Sequence, residues 1–179
     1  MKNLKVVFFG TPDFAKESLA AIHQSNHQVV GVVTVADKPS GRGQKLTESP
    51  VKKYAVENNL TVFQPEKLRN PEFLEQIRNL DADVFVVVAF RMMPKILFEM
   101  PKIGTFNLHA SLLPDYRGAA PINFAIINGE EKTGATTFFI NEKIDEGNIL
   151  LQEELPISPD ENAGSLHDRL MEMGAKLVV

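Results

Sequence analysis

Three mostly apolar runs without polar–apolar alternation, at residues 4–9, 28–35 and 83–89, constrain this chain more than any other feature. A sheet with one face in water alternates apolar and polar residues, so a run without alternation has both faces covered. Between the runs lie segments with helical spacing, at 14–25, 50–59 and 71–80. Strand, helix and strand at this spacing predict right-handed βαβ crossovers. The expected fold is therefore α/β, three-layered and Rossmann-like, with a mostly parallel sheet. Thr11 or Asp13 is expected to cap the first helix, and Pro50 suits the first turn of the second. Short strands are expected at 60–63 and near 103–108, and a helix near 119–128. Segments 133–141 and 149–155 predict a late antiparallel pair on the sheet edge, joined by a Gly-containing turn. Leu166, Leu170, Met173 and Leu177 form one apolar stripe on a last helix.

A chain of 179 residues fits one domain. The chain stops on Val178-Val179 with no polar tail, which predicts a domain truncated before a further C-terminal one. The apolar run at the N-terminus ends at Gly10-Thr11-Pro12-Asp13 and lacks a small-residue cleavage site, so it reads as a buried strand rather than a leader. No apolar stretch reaches membrane-spanning length. The absence of cysteine excludes disulfides, thiolate nucleophiles and Cys-ligated zinc, and fits a cytoplasmic setting. A net charge of −4 gives no global attraction for nucleic acid, so any such contact is local.

The chemistry concentrates at Phe106-Asn107-Leu108-His109-Ala110-Ser111-Leu112-Leu113-Pro114. Residues i and i+2 of a strand share a face, so Asn107 and His109 project together where the strand ends. An amide can donate to an oxyanion and an imidazole can move a proton near neutral pH. Asp145, in the turn between the late extended segments, is the carboxylate that would complete an acid–base group. His23, His27 and His167 read as boundary residues of the first and last helices. No serine has a nucleophile's setting, and no histidine–carboxylate cluster has metal spacing. Gly10 lacks the second and third glycines of a dinucleotide fingerprint, which weakens a nicotinamide-binding reading. The 36–50 segment carries Ser40-Gly41-Arg42-Gly43 with Lys38 and Lys45. It reads as a long loop, either a solvated surface feature or an arm that presents cations to phosphate.

Along nearly its whole length the chain resembles the catalytic domain of the methionyl-tRNA formyltransferase family. The resemblance rests on Phe8-Phe9-Gly10-Thr11-Pro12-Asp13-Phe14-Ala15, the Ser40-Gly41-Arg42-Gly43 loop, Val62-Phe63-Gln64-Pro65, the block from Asn107 to Pro121, and Ile144-Asp145-Glu146-Gly147-Asn148. It implies the formyltransferase fold, ahead of a C-terminal β-barrel that helps hold tRNA. It implies formyl transfer from 10-formyltetrahydrofolate, a co-substrate, to methionyl initiator tRNA, by a monomer that needs no metal. By that similarity Asn107, His109 and Asp145 are catalytic. Phe90, Arg91, Met92 and Met93, with Ser111, Leu112, Leu113 and Pro114, would line the folate site. Arg42 and Lys45 would reach the tRNA acceptor end, and Phe14 would help form the methionyl pocket. The family often carries an aromatic–glycine pair after the strand that ends near Ala89. Here Phe90 is followed by Arg91, so a shifted backbone is expected. The alternatives that share this chemistry are formyl transfer to glycinamide ribonucleotide or a nucleotide sugar, and hydrolysis of 10-formyltetrahydrofolate. A folate- or tRNA-binding module without catalysis is the alternative outside it.

Overall fold

The computed structural model describes residues 3–40 and 45–179. Its main sheet has seven strands in the order β5-β2-β1-β6-β7-β8-β9. They are β1 (Lys5–Gly10), β2 (Gln28–Val33), β5 (Val62–Phe63), β6 (Val84–Val88), β7 (Gly104–His109), β8 (Lys132–Phe139) and β9 (Ile149–Pro156). The first five in this list pair in parallel, and β8 and β9 run antiparallel at one edge. Among the described residues six helices accompany them: α1 (Asp13–Gln24), α2 (Pro50–Glu57), α3 (Pro71–Asn79), α4 (Lys95–Phe98), α5 (Pro121–Ile127) and α6 (Ala163–Leu177). The expected three-layer α/β architecture is the observed one. Among the described residues no helix is long and apolar enough to cross a membrane.

The non-alternating runs are explained by two cores. Val6, Phe8, Val84, Val86, Val88 and Leu108 face one layer, where they meet Leu19 and Ile22 of α1, Val51 and Ala55 of α2, and Leu166 and Leu170 of α6. The intervening Val7, Phe9, Phe85 and Val87 face the other, against Phe73, Leu74 and Ile77 of α3 and Leu97 of α4. Each such side chain contributes roughly 1.5–3 kcal/mol by leaving water. The stripe on α6 holds: Leu166 and Leu170 are fully buried and Met173 nearly so. Gly174 lets that helix lie close to β7, since a Cβ there would stand 2.8 Å from Leu108 Cδ2.

Several local expectations need correction. The N-cap of α1 is Pro12, with no side-chain cap; neither Thr11 nor Asp13 serves. Ser49, Asn70 and Asn162 do cap α2, α3 and α6, each accepting from a backbone N–H three residues on. Segment 36–50 is not wholly a loop. Lys38–Ser40 (β3) and Lys45–Thr47 (β4) pair as an antiparallel ribbon. Three-residue strands are too short to show a period in the sequence. The ribbon's roots are tied by an ion pair between Lys52 and Asp37, a second from Lys52 to Glu48 at 2.8 Å, and a Thr34–Ser49 hydroxyl contact at 2.7 Å. Gln64 adds a bond to Asp37 at 2.7 Å. Lys52 first, then Gln64, holds the Asp37 carboxyl below the usual carboxylate range. The single-turn helix α4 was not foreseen, being too short for periodicity.

The strand order reverses between β1 and β6: β1 leads through α1 to β2 on one side, and later strands build outward on the other. In open α/β sheets the carboxyl ends of strands near such a reversal form a crevice. Gly10, Ala89 and His109 end or follow β1, β6 and β7 there.

Candidate active site

His109 is the last residue of β7 and Asn107 lies two residues before it, so both face the same side of the sheet. This is the α3–α4 side, since the alternate residue Leu108 belongs to the opposite core. The imidazole is 9% exposed. Its Nε2 lies 2.8 Å from the Tyr116 carbonyl. A carbonyl only accepts, so Nε2 carries a proton and donates. Nδ1 then faces the Asp145 carboxylate, Oδ2 at 3.9 Å, beyond hydrogen-bond length but within ion-pair range.

Asp145 reaches this place by an indirect path. Strand β8 ends opposite Phe106, and Ile140 N donates to Thr105 O. The β8–β9 connection thus leaves four residues below His109, about 13 Å away at the rise of a strand. It then climbs back to bring Asp145 beside the imidazole. Asp145 is therefore carried, as expected, by the connection between β8 and β9, but by a loop that returns over the sheet rather than a tight turn. Gly147 permits the return, because a Cβ there would stand 1.5 Å from Phe139 O. Asp145 itself takes a left-handed backbone, φ 51°. The loop is fastened to the segment after β7: Gly118 N donates to Asp145 Oδ2 at 2.8 Å and Arg117 Nε to Asp145 O at 3.0 Å. Arg117 also pairs with Glu146 at 3.5 Å.

The segment 111–115 is bolted to the sheet by a buried hydroxyl. Thr136 Oγ1 donates to Ser111 O at 2.7 Å and accepts from Leu113 N at 3.2 Å and Gln152 Nε2 at 2.9 Å. Gln152 also donates to Leu113 O at 3.0 Å. The bond Leu113–Pro114 is cis. Ser111 and Leu113 are buried, Ser111 donating to Asp115 O at 2.6 Å; Leu112 is half-buried and Pro114 exposed.

The other predicted lining residues divide by exposure. Met93 belongs to the core with Leu97 and Phe9, whereas Met92 is 74% exposed. Phe90 packs edge-on against Phe9, with the Arg91 guanidinium over its ring at 5.6 Å. Arg91 donates to the carbonyls of Pro65 and Glu66, which ties this loop to the one after β5. The backbone turns left-handed at Ala89, φ 46°, one residue ahead of Phe90. Phe14 is buried on α1, edge-on to His167 of α6 at 5.4 Å. Arg42 lies outside the described residues, and Lys45 begins β4, paired with Ser40.

The structure thus joins His109 to Asp145 and keeps Asn107 on their face of the sheet. The sequence reading missed Tyr116, Arg117, Gly118, Thr136 and Gln152. The first three lie inside the block from Asn107 to Pro121 but carried no assigned role; Thr136 and Gln152 bear no local signal, since only strand register unites them. Among the described residues no group of three or more metal-ligating side chains could hold an ion. The arrangement can do acid–base work: one imidazole with a fixed donor side, a carboxylate beside its other nitrogen, and an amide donor nearby.

Comparison with known proteins agrees in kind. A profile of the family described as formyl transferase matches residues 4–179. The chain is 59% identical over 179 residues to the methionyl-tRNA formyltransferase of Flavobacterium johnsoniae, covering 100% of this chain and 57% of that relative. It is 58% identical over 180 residues to that of Flavobacterium psychrophilum, again covering 100% of this chain and 57% of the relative. The chain therefore spans little more than half the length of these curated relatives. Among solved structures, glycinamide ribonucleotide transformylase 1 of Symbiobacterium toebii superposes with TM-score 0.82 at 16% identity, covering 98% of this chain and 84% of that one. That likeness concerns the fold. A sugar 3N-formyl transferase, solved with dTDP and 5-N-formyl-THF, superposes with TM-score 0.68 at 26% identity, covering 99% of this chain and 61% of that one.

Proposed function

The chain belongs to the formyl transferase family, and on that premise we propose that its strand-end cleft transfers a formyl group from 10-formyltetrahydrofolate to the α-amine of methionyl initiator tRNA. The observation that carries the reading is the approach of Asp145 to His109, with Asn107 on the same face. The acceptor is supported by the names of relatives 58–59% identical. The folate donor is supported by the 5-N-formyl-THF with which the sugar transferase was solved.

The neutral amine attacks the formyl carbon and a tetrahedral oxyanion develops. Asn107 and protonated His109 donate to that oxygen; with Nε2 committed to Tyr116, the donating atom of the imidazole is Nδ1. Asp145, beside Nδ1, takes up the amine's proton, directly or through water. As the intermediate collapses, the bond from the formyl carbon to N10 breaks, N10 gains a proton, and the new amide bond remains. Direct transfer needs both substrates bound together, so positioning supplies much of the acceleration.

In this reading Phe90, Arg91, Met92, Leu112 and Pro114 border the folate, while buried Met93, Ser111 and Leu113 back its walls. Arg42 and Lys45 offer cations to the tRNA acceptor end. Phe14 backs the methionyl pocket from the core. The enzyme acts as a cytoplasmic monomer.

An acceptor swap tests the proposal. Formyl transfer should occur to methionyl-tRNA and not to glycinamide ribonucleotide or an amino-sugar nucleotide; the opposite pattern overturns the acceptor. Asn107→Ala should slow transfer by about 10²–10³, the usual cost of one oxyanion donor. Unchanged turnover in that variant would remove catalysis from the cleft.

A further inference from the structure

We propose that Tyr116 is a positioning residue for His109, its phenol latched to Glu130 and Asn128 so that its main-chain carbonyl fixes the imidazole tautomer. The inference rests on the reaction proposed above and adds a residue to which that reaction assigns no role.

Tyr116 holds a left-handed backbone, φ 55°, which a residue with a Cβ disfavours. Something must keep it there. Its hydroxyl donates to Glu130 Oε1 and accepts from Asn128 Nδ2 at 3.0 Å, so both of its capacities are used. The far side of this latch is itself fixed. Asn128, Gly129 and Glu130 form the turn after α5, and their N–H groups donate to Phe124, Ile126 and Ala125 carbonyls at 2.9, 3.1 and 3.0 Å. The latch therefore joins the strand end of β7 to a rigid turn ahead of β8, and the peptide between them has one orientation. That orientation puts the Tyr116 carbonyl 2.8 Å from His109 Nε2.

The consequence is chemical. While the carbonyl holds the Nε2 proton, Nδ1 is the nitrogen that gains and loses a proton beside Asp145. Released from the latch, Tyr116 relaxes toward an ordinary backbone and its carbonyl turns away. The neutral imidazole then moves its proton to Nδ1, where the carboxylate accepts it, and the roles of the two nitrogens reverse.

The test uses this 179-residue chain, labelled with 15N-histidine, as Tyr116→Phe, Glu130→Ala and the double variant. Parent His109 should be the Nε2–H tautomer by its ring-nitrogen shifts. Tyr116→Phe, which removes only the hydroxyl, should raise the Nδ1–H share severalfold. The kcat for methionyl-tRNA formylation should fall about 5- to 50-fold, with KM for the folate donor changed less than about twofold. The double variant should be no worse than the more damaging single one, because both break one contact. Melting curves confirm that each variant folds. An unchanged tautomer balance with unchanged kcat in folded variants overturns the latch and leaves the reaction standing. A tautomer shift in a chain that formylates nothing supports the latch and counts against the reaction.

Discussion

Gly147→Ala is the most direct probe of how Asp145 reaches His109. A Cβ at 147 would stand 1.5 Å from Phe139 O and 2.7 Å from Phe139 C, both backbone atoms of a strand paired on each side. Ordinary contact begins near 3.5 Å, so loop and strand must part by about 2 Å. Strand β8 is held by β7 and β9, so the loop moves instead. Asp145 is two residues away and its carboxylate stands 3.9 Å from Nδ1. A shift of that size carries it out of ion-pair range and pulls its carboxylate from Gly118 N. Overpacking of this kind costs about 1–3 kcal/mol, a melting-point fall of roughly 2–4 °C per kcal/mol at this chain length. Misplacement by even 1 Å near a reacting centre costs about 10²-fold in rate. The expected result is a modest loss of melting temperature with a disproportionate loss of turnover, read by thermal melts and single-turnover formylation side by side. A variant with parental turnover would refute the path assigned to this loop, and one that simply fails to fold would show that Gly147 serves the sheet as a whole.

Three further outcomes are expected. Thr136→Val keeps the shape but takes their hydroxyl partner from Leu113 N and Ser111 O and one of two partners from the Gln152 amide, so denaturant titration should show a loss of about 2 kcal/mol; a neutral result would mean these groups repartner. Ala120→Gly should stabilise by up to about 1 kcal/mol, because Ala120 caps α5 in the left-handed region (φ 55°, ψ 43°); a lower melting point would contradict that strain. Asp37, held below its ordinary range chiefly by Lys52, binds its proton less readily folded than unfolded. It therefore contributes stability above its unfolded value of roughly 3.9, and that contribution fades as pH falls through the lower folded value. Asp37→Asn should remove this part of the acid dependence of unfolding, and an unaltered acid limb would exclude the pair.

How much of this was legible in the sequence follows from range. The non-alternating valine-rich runs show their double burial directly, because each strand meets both helical layers within its own few residues. The Asn107–His109 pair is legible because period two is local. The Thr136 hydroxyl is not: it acquires its meaning only when antiparallel register brings Ser111 and Gln152 to it from two directions. Asp145 falls between these cases. Its residue type and turn were visible, but the climb from Thr105 to His109 belongs to a loop that obeys no period. Arg91 shows the remaining difficulty. A cation in a lining loop suggests a ligand contact, yet its guanidinium is occupied by the carbonyls of Pro65 and Glu66.

Strand β9 has a consequence beyond its place at the edge. It is the outermost strand, exposed along nearly its whole length, and such elements open locally at less free energy than the global transition. Yet Gln152 on this strand grips the Leu113 carbonyl and the Thr136 hydroxyl. Each fraying of β9 therefore loosens the segment that leads to Tyr116. The lifetime of the imidazole's setting is coupled to the breathing of the sheet margin, and whatever shields that margin from solvent slows the excursions of the cleft.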